Sequence, residues 1–159
     1  MANLFQVSEI VNIGVEDEVS GGALYQALAE GTGSAALKSF YTAMVEKERV
    51  HEKRFRDLLA QVEGHTIHES YAGEYQAYLR ALLDARAFPT AAAAVKKARA
   101  AADDRAALDL ALQMEKDTLV LFQEIVKLVP ERHRPMVQGI IAEERSHVVE
   151  LSSELRKLA

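Results

Sequence analysis

Residues 45–55 read VEKERVHEKRF, and residues 141–151 read IAEERSHVVEL. Each stretch holds a glutamate followed three residues later by a histidine: Glu48 and His51 in the first, Glu144 and His147 in the second. Side chains three apart on a helix lie on one face, about one turn apart, so each pair can reach a single point. Which face they occupy decides the reading. Around the first pair, Leu37, Tyr41, Met44, Glu48, His51, Phe55, Leu58 and Val62 follow steps of four and three, the spacing of an apolar seam turned toward a helical core. Around the second, the seam is Val137, Ile140, Glu144, His147 and Leu151, with Leu155 and Leu158 beyond. Both polar pairs therefore interrupt stripes that are otherwise apolar.

Two further seams can be traced. One runs through Val7, Val11, Gly14, Glu18, Gly21, Tyr25 and Leu28, and the other through Leu108, Ala111, Glu115, Thr118 and Phe122. Each carries one glutamate. The chain also repeats itself: Glu18, Leu24, Tyr25 and Gln26 recur as Glu115, Leu121, Phe122 and Gln123 at an offset of 97 residues, and Glu48 and His51 recur 96 residues later. Alanine, leucine, glutamate, lysine and arginine dominate, with prolines only at 89, 130 and 135, so long helices are expected. These are predicted over about Leu4–Glu30, from a Ser34 cap to Val62, from Asp103 or Asp104 to before Pro130, and over His133–Leu158 with Pro135 in the first turn. The intervening segment 63–102, amphipathic at Tyr71, Tyr75, Tyr78 and Leu82, is too long for a hairpin loop and suits a crossover with short helices of its own. The expected fold is all-α: a four-helix bundle of two antiparallel pairs joined by a long crossover, forming one domain over 1–159.

Heights along the bundle follow from chain distances. Glu18 lies 13 residues before Gly31 and Glu48 lies 15 after Gly33; at about 1.5 Å per residue both sit roughly 20 Å from the same turn. Glu115 and Glu144 flank Pro130 by 15 and 14 residues. Docking the pairs by their repeat brings four carboxylates and two imidazoles into one layer. Buried carboxylates without a partner cost several kcal/mol each. Arg49 and Arg145 follow the glutamates directly but point about 100° away, so they are poor partners for a core-facing carboxylate. Two divalent cations would balance the four negative charges, and hard oxygens with imidazole suit iron or manganese and also admit zinc. Tyr25 and Tyr41 are candidate hydrogen-bond donors to the ligands or plain core residues. Gly21 and Gly22 allow close helix packing or leave space for a small oxidant. His65, His68 and His133 read as surface residues.

The formal net charge of −5, without a Lys/Arg block, argues against a nucleic-acid binder. No apolar run is long enough to span a membrane, and no signal peptide is visible, so a cytoplasmic protein is expected. Cysteine is absent, which excludes disulfides, thiol nucleophiles and iron–sulfur clusters held by this chain.

The stretches VEDEVSGGALYQALAE, EKERVHEKRF, QMEKDTLVLFQEI and IIAEERSHVVEL together resemble the ferritin-like di-iron carboxylate superfamily, in its rubrerythrin-like branch. The resemblance covers nearly the whole chain. It implies Glu18, Glu48, His51, Glu115, Glu144 and His147 as ligands of two metal ions, iron first, with Glu48 and Glu144 bridging, Glu18 and Glu115 terminal, and one histidine on each metal. It implies oxidation of Fe²⁺ or reduction of O₂ or peroxide, an electron donor of unspecified kind, and a homodimer. A di-manganese site that dismutates peroxide and a metal-binding bundle without turnover are the alternatives. Rubrerythrin proper adds a Cys-rich rubredoxin domain and a further glutamate three residues after the helix-three ligand, where this chain has Thr118, with Gly21 its helix-one counterpart. The short fifth helix of cage-forming ferritins has no counterpart here, so no storage cage is expected.

Overall fold

The computed structural model describes residues 5–67, 73–86 and 88–159, with only the backbone described for Phe5, Thr66 and Ile67. His68 and Tyr71 lie outside the described residues. The chain opens with β1 (Phe5–Gln6) and α1 (Val7–Gly31), continues through α2 (Ala35–Val62), β2 (Thr66–Ile67), α3 (Glu74–Ala85) and α4 (Ala91–Arg99), and ends with α5 (Asp104–Leu128) and α6 (Arg134–Lys157). It is an all-α bundle apart from the two-residue antiparallel pairing of β1 with β2, in which Phe5 faces Ile67 and Gln6 faces Thr66. That pairing moves the start of α1 from the expected Leu4 to Val7, because residues 5 and 6 hydrogen-bond as extended chain and Val7 N–H donates to His65 O at 3.0 Å.

Local chemistry sets the remaining ends. Ser34 Oγ accepts from Leu37 N–H at 3.3 Å and Asp103 Oδ1 from Ala106 N–H at 2.8 Å, each satisfying a donor that the first helical turn leaves free. Pro135 lies in the first turn of α6, where its missing N–H costs nothing. The crossover forms two short helices, the second capped by Thr90 Oγ1 on Ala93 N–H at 3.1 Å. On α3 the core-facing residues are Tyr75, Leu79 and Leu83, while Tyr78 turns outward, so the apolar stripe is rotated from the one expected.

α1 pairs with α2, α5 with α6, and α1 also packs on α4 and α5. Every residue of the four seams from Val7 to Leu151 is buried. Leu155 is only partly buried and Leu158 is exposed, so the last seam stops one turn short of the helix end. The apolar core falls into two halves. One gathers around Leu24, Tyr25, Tyr41, Met44 and Leu108, and the other around Val11, Phe55, Phe122, Ile125 and Ile140. Between them lies a buried polar layer. Among the described residues, no helix is long and apolar enough to cross a membrane.

Candidate metal centre

The layer is built by the four long helices, one glutamate from each and one histidine each from α2 and α6. Glu18, Glu48, His51, Glu115, Glu144 and His147 are all at most 3% exposed. They form two overlapping groups. Glu18, Glu48, His51 and Glu144 offer one ligand atom each, all within 4.8 Å of one another, and so do Glu48, Glu115, Glu144 and His147. Glu48 and Glu144 belong to both. The imidazole rings of His51 and His147 stack with centroids 5.5 Å apart and planes 19° apart. Each histidine turns Nδ1 inward: His51 Nδ1 lies 2.5 Å from Glu144 Oε1 and 3.7 Å from Glu18 Oε2, while His147 Nδ1 lies 2.8 Å from Glu144 Oε2 and 3.5 Å from Glu48 Oε1 and from Glu115 Oε1.

These approaches are contacts without hydrogen-bond direction. Both oxygens of Glu18 and of Glu144, one oxygen each of Glu48 and Glu115, and both inward Nδ1 atoms lack a hydrogen-bond partner. Buried polar atoms are nearly always satisfied, so eight orphans converging on one layer are a strong departure. No lysine or arginine reaches the six side chains among the described residues; Arg49 bonds Glu46 on the surface. A carboxylate oxygen facing an imidazole lone pair is repulsive without a proton or cation between them. The donor set, four carboxylates and two imidazoles, fits two divalent cations of intermediate hardness.

The electrostatics report the same crowding. Burial, then the charges of Glu48 and Glu144, push the Glu18 carboxyl well above the usual range. Burial and the charges of Glu115 and Glu144 do the same to Glu48. Glu115 rises to about 8 through burial, with the Glu144 charge adding to it. Burial also pushes Glu144 upward, but the close approach of His147, His51 and Glu115 outweighs this and holds it down at about 2. For His147, burial acts downward and is outweighed by Glu115 and Glu144, which lift it to about 10.

Around the six, the structure places Glu143, Arg54, Asp17 and Arg86, which periodicity did not single out, and separates the roles of Tyr25, Tyr41 and Thr118, which it did. His51 Nε2 lies 2.8 Å from Glu143 Oε2, and Glu143 Oε1 accepts from Arg54 Nη1 at 2.7 Å. Tyr25 donates its hydroxyl to Glu115 Oε1. Tyr41 makes no such bond: its ring stands 6.2 Å from that of Tyr25 and its buried hydroxyl has no partner, so of the two tyrosines only Tyr25 touches the layer. Asp17, next to Glu18, accepts from Arg86 Nη1 and from Thr118 Oγ1, each at 2.6 Å. This clamp ties the crossover to α1 and α5 beside the layer. Thr118 is thus committed to Asp17. His65 is exposed and His133 half-buried, and neither belongs to the two groups.

Gly21 has a specific role. A Cβ there would collide with Glu48 Oε2 and lie 3.2 Å from Glu48 Cδ and 3.4 Å from the Met114 methyl. The space is filled by the Glu48 carboxylate, whereas a Cβ at Gly22 would make only an ordinary 3.8 Å contact. Gly21→Ala is therefore expected to displace a carboxylate shared by both groups and to lower metal content at both positions. The metal-free fold should hold, since removing a mid-helix glycine gains about 0.5–1 kcal/mol. Metal analysis beside a melting curve of the chelated protein checks this; full metal loading of the variant would show that Glu48 has room to spare.

Comparison with known proteins agrees with this geometry. A solved ferritin-like diiron-carboxylate protein from Thermotoga maritima has the same fold, with a TM-score of 0.74 at 21% identity over 100% of both chains. No curated protein matches. The rubrerythrin family model matches residues 9–155, a span that contains all six side chains of the polar layer and nearly all of the helices that carry them, and this chain belongs to that family.

Proposed function

We propose that the chain is a non-haem di-iron protein that oxidises Fe²⁺ or reduces O₂ or peroxide, with Glu18, Glu48, His51, Glu115, Glu144 and His147 as its metal ligands. The carrying observation is the pair of four-residue groups sharing Glu48 and Glu144, with orphaned oxygens and nitrogens turned toward one another. Bound iron would supply adjacent one-electron couples, which suits the two-electron reduction of a small oxidant. The chain's own part is to hold these donors together in a buried layer between two apolar halves. Glu48 and Glu144 would be shared between the ions. Glu18 with His51, and Glu115 with His147, would each serve one. Thr118 and Gly21 add no further carboxylate, so six ligands for two ions leave coordination positions open to an oxidant.

The test is anaerobic loading with Fe²⁺ followed by exposure to O₂ or peroxide. Wild type is expected to consume the oxidant and develop near-ultraviolet ferric absorption. His51→Ala and His147→Ala should each slow the reaction by about tenfold or more, since a ligand is lost from one ion. Equal oxidation rates in wild type, both variants and protein-free buffer would overturn the reading. Loading with Mn²⁺ and peroxide separates the dismutating alternative, and metal uptake without turnover would favour a purely metal-holding bundle.

A further inference from the structure

The two ends of the polar layer are related by the internal repeat, and the repeat is broken at two places that touch it. The offset of 96 residues that carries Glu48 and His51 onto Glu144 and His147 also carries Lys47 onto Glu143 and Arg54 onto Glu150. Both cross-helix pairs form: Arg54 with Glu143 at 2.7 Å and Lys47 with Glu150 at 2.7 Å. Their charges are exchanged. Beside His51 stands a carboxylate, Glu143, bonded to Nε2 at 2.8 Å. The equivalent of Glu143 in the repeat is Lys47, which donates to Glu150 and cannot accept a hydrogen bond, and among the described residues His147 Nε2 makes no hydrogen bond like that of His51 Nε2.

The second break follows the offset of 97 residues. Tyr25 gives its hydroxyl to Glu115. The equivalent of Tyr25 is Phe122, which has no hydroxyl, and both oxygens of Glu18 are without hydrogen bonds.

The two differences act in one direction. A carboxylate on the outer nitrogen fixes the tautomer and makes an imidazole a better donor, while a phenol bonded to a carboxylate draws density from it. We propose that the two metal positions are unequal by construction: the position of Glu18, Glu48, His51 and Glu144 binds a divalent ion more tightly and fills first, and Glu143 is the positioning residue that makes it so. The position of Glu48, Glu115, Glu144 and His147 is the weaker and more readily vacated one. This inference rests on the dinuclear reading above.

The experiment is a calorimetric and absorbance titration of the metal-free 159-residue chain with Co²⁺, whose visible bands report each ion as it binds. Wild type is expected to fill in two steps. Glu143→Gln keeps the shape of the side chain and removes its charge; it should weaken the first step by roughly ten- to a hundredfold and leave the second nearly unchanged. The double exchange Lys47→Glu with Glu150→Lys rebuilds on the His147 side the arrangement that Arg54 and Glu143 form on the other. It should tighten the second step and draw the two together, an outcome that mere structural damage cannot produce. Two ions bound in wild type with both steps untouched by Glu143→Gln and by the double exchange would overturn the inequality and leave the dinuclear reading standing. Failure of wild type to bind two ions would overturn both.

Discussion

Replacing Glu48 and Glu144 together by alanine is expected to abolish metal uptake at both positions. Each four-residue group contains both glutamates, so the double variant leaves only Glu18 with His51 and Glu115 with His147, two donors per position. Wild type should take up about two ions per chain, the complement implied by this arrangement of carboxylates and histidines. The consequence for stability runs against the usual cost of a core truncation. In the metal-free protein the charge of Glu144 raises the proton affinity of Glu18, Glu48 and Glu115, and that of Glu48 adds to the effect on Glu18. Removing them relieves that repulsion and gives up the Glu144 contacts with His51 and His147, so the two effects offset and the metal-free variant should melt close to metal-free wild type. The difference appears on adding metal. Wild type should gain about 4 kcal/mol at a free ion concentration a thousandfold above its dissociation constant, and the variant nothing. Metal analysis and melting curves with and without Mn²⁺ or anaerobic Fe²⁺ decide the matter. A double variant that retains both ions would remove the six residues as the binding site.

Metal-free protein should also lose stability as pH rises from about 4.5 to about 8. Glu115 has its folded proton affinity raised from 4.5 to about 8, first by burial and then by the charge of Glu144. Glu18 and Glu48 move in the same direction. Across this window the folded state holds protons that the unfolded chain has released, so the unfolded state is favoured as pH climbs. His147, raised to about 10, adds stability that is complete below 6.5 and fades above it, the same sign. Glu144, held at about 2, loses its contribution only in acid, as pH falls below 4.5. Melting temperature in the presence of a chelator should therefore fall through the neutral range, and Glu115→Gln should flatten the decline. Metal binding must displace the same protons, so uptake should release acid and strengthen with pH. A melting temperature that stays level or rises between pH 5 and pH 8 would contradict the protonated, repelling layer.

Much of this was legible in the chain because helices are periodic. Steps of three and four place Glu48 and His51 among Met44, Phe55 and Leu58, and burial of every seam position follows once four such stripes must cover one another. Distances to Gly31, Gly33 and Pro130 set the heights of the four glutamates, because the rise per residue is constant. The caps at Ser34 and Asp103 were readable for a similar reason: a side-chain oxygen meets a backbone donor three residues away, within reach of local geometry alone.

What escaped the sequence involves contacts between elements. Glu143 is the flanking neighbour of Glu144, and nothing in its own helix says that it meets His51 from α2; the one signal was the repeat, which sets it against Lys47. Tyr25 and Tyr41 occupy like positions on their seams, yet only one hydroxyl finds a carboxylate. Thr118 was read for the glutamate it lacks, and its bond to Asp17 depends on where α1 meets α5. Gly21 could be read as packing or as open space until the Glu48 carboxylate was seen to fill it. The sequence by itself determined the helices, their buried faces and the level of the six polar side chains, all consequences of local geometry repeated along the chain. Only the tertiary structure decided which outer groups meet which of the six side chains, because that depends on the rotation and separation of neighbouring helices, and an ångström across that gap makes or breaks a hydrogen bond.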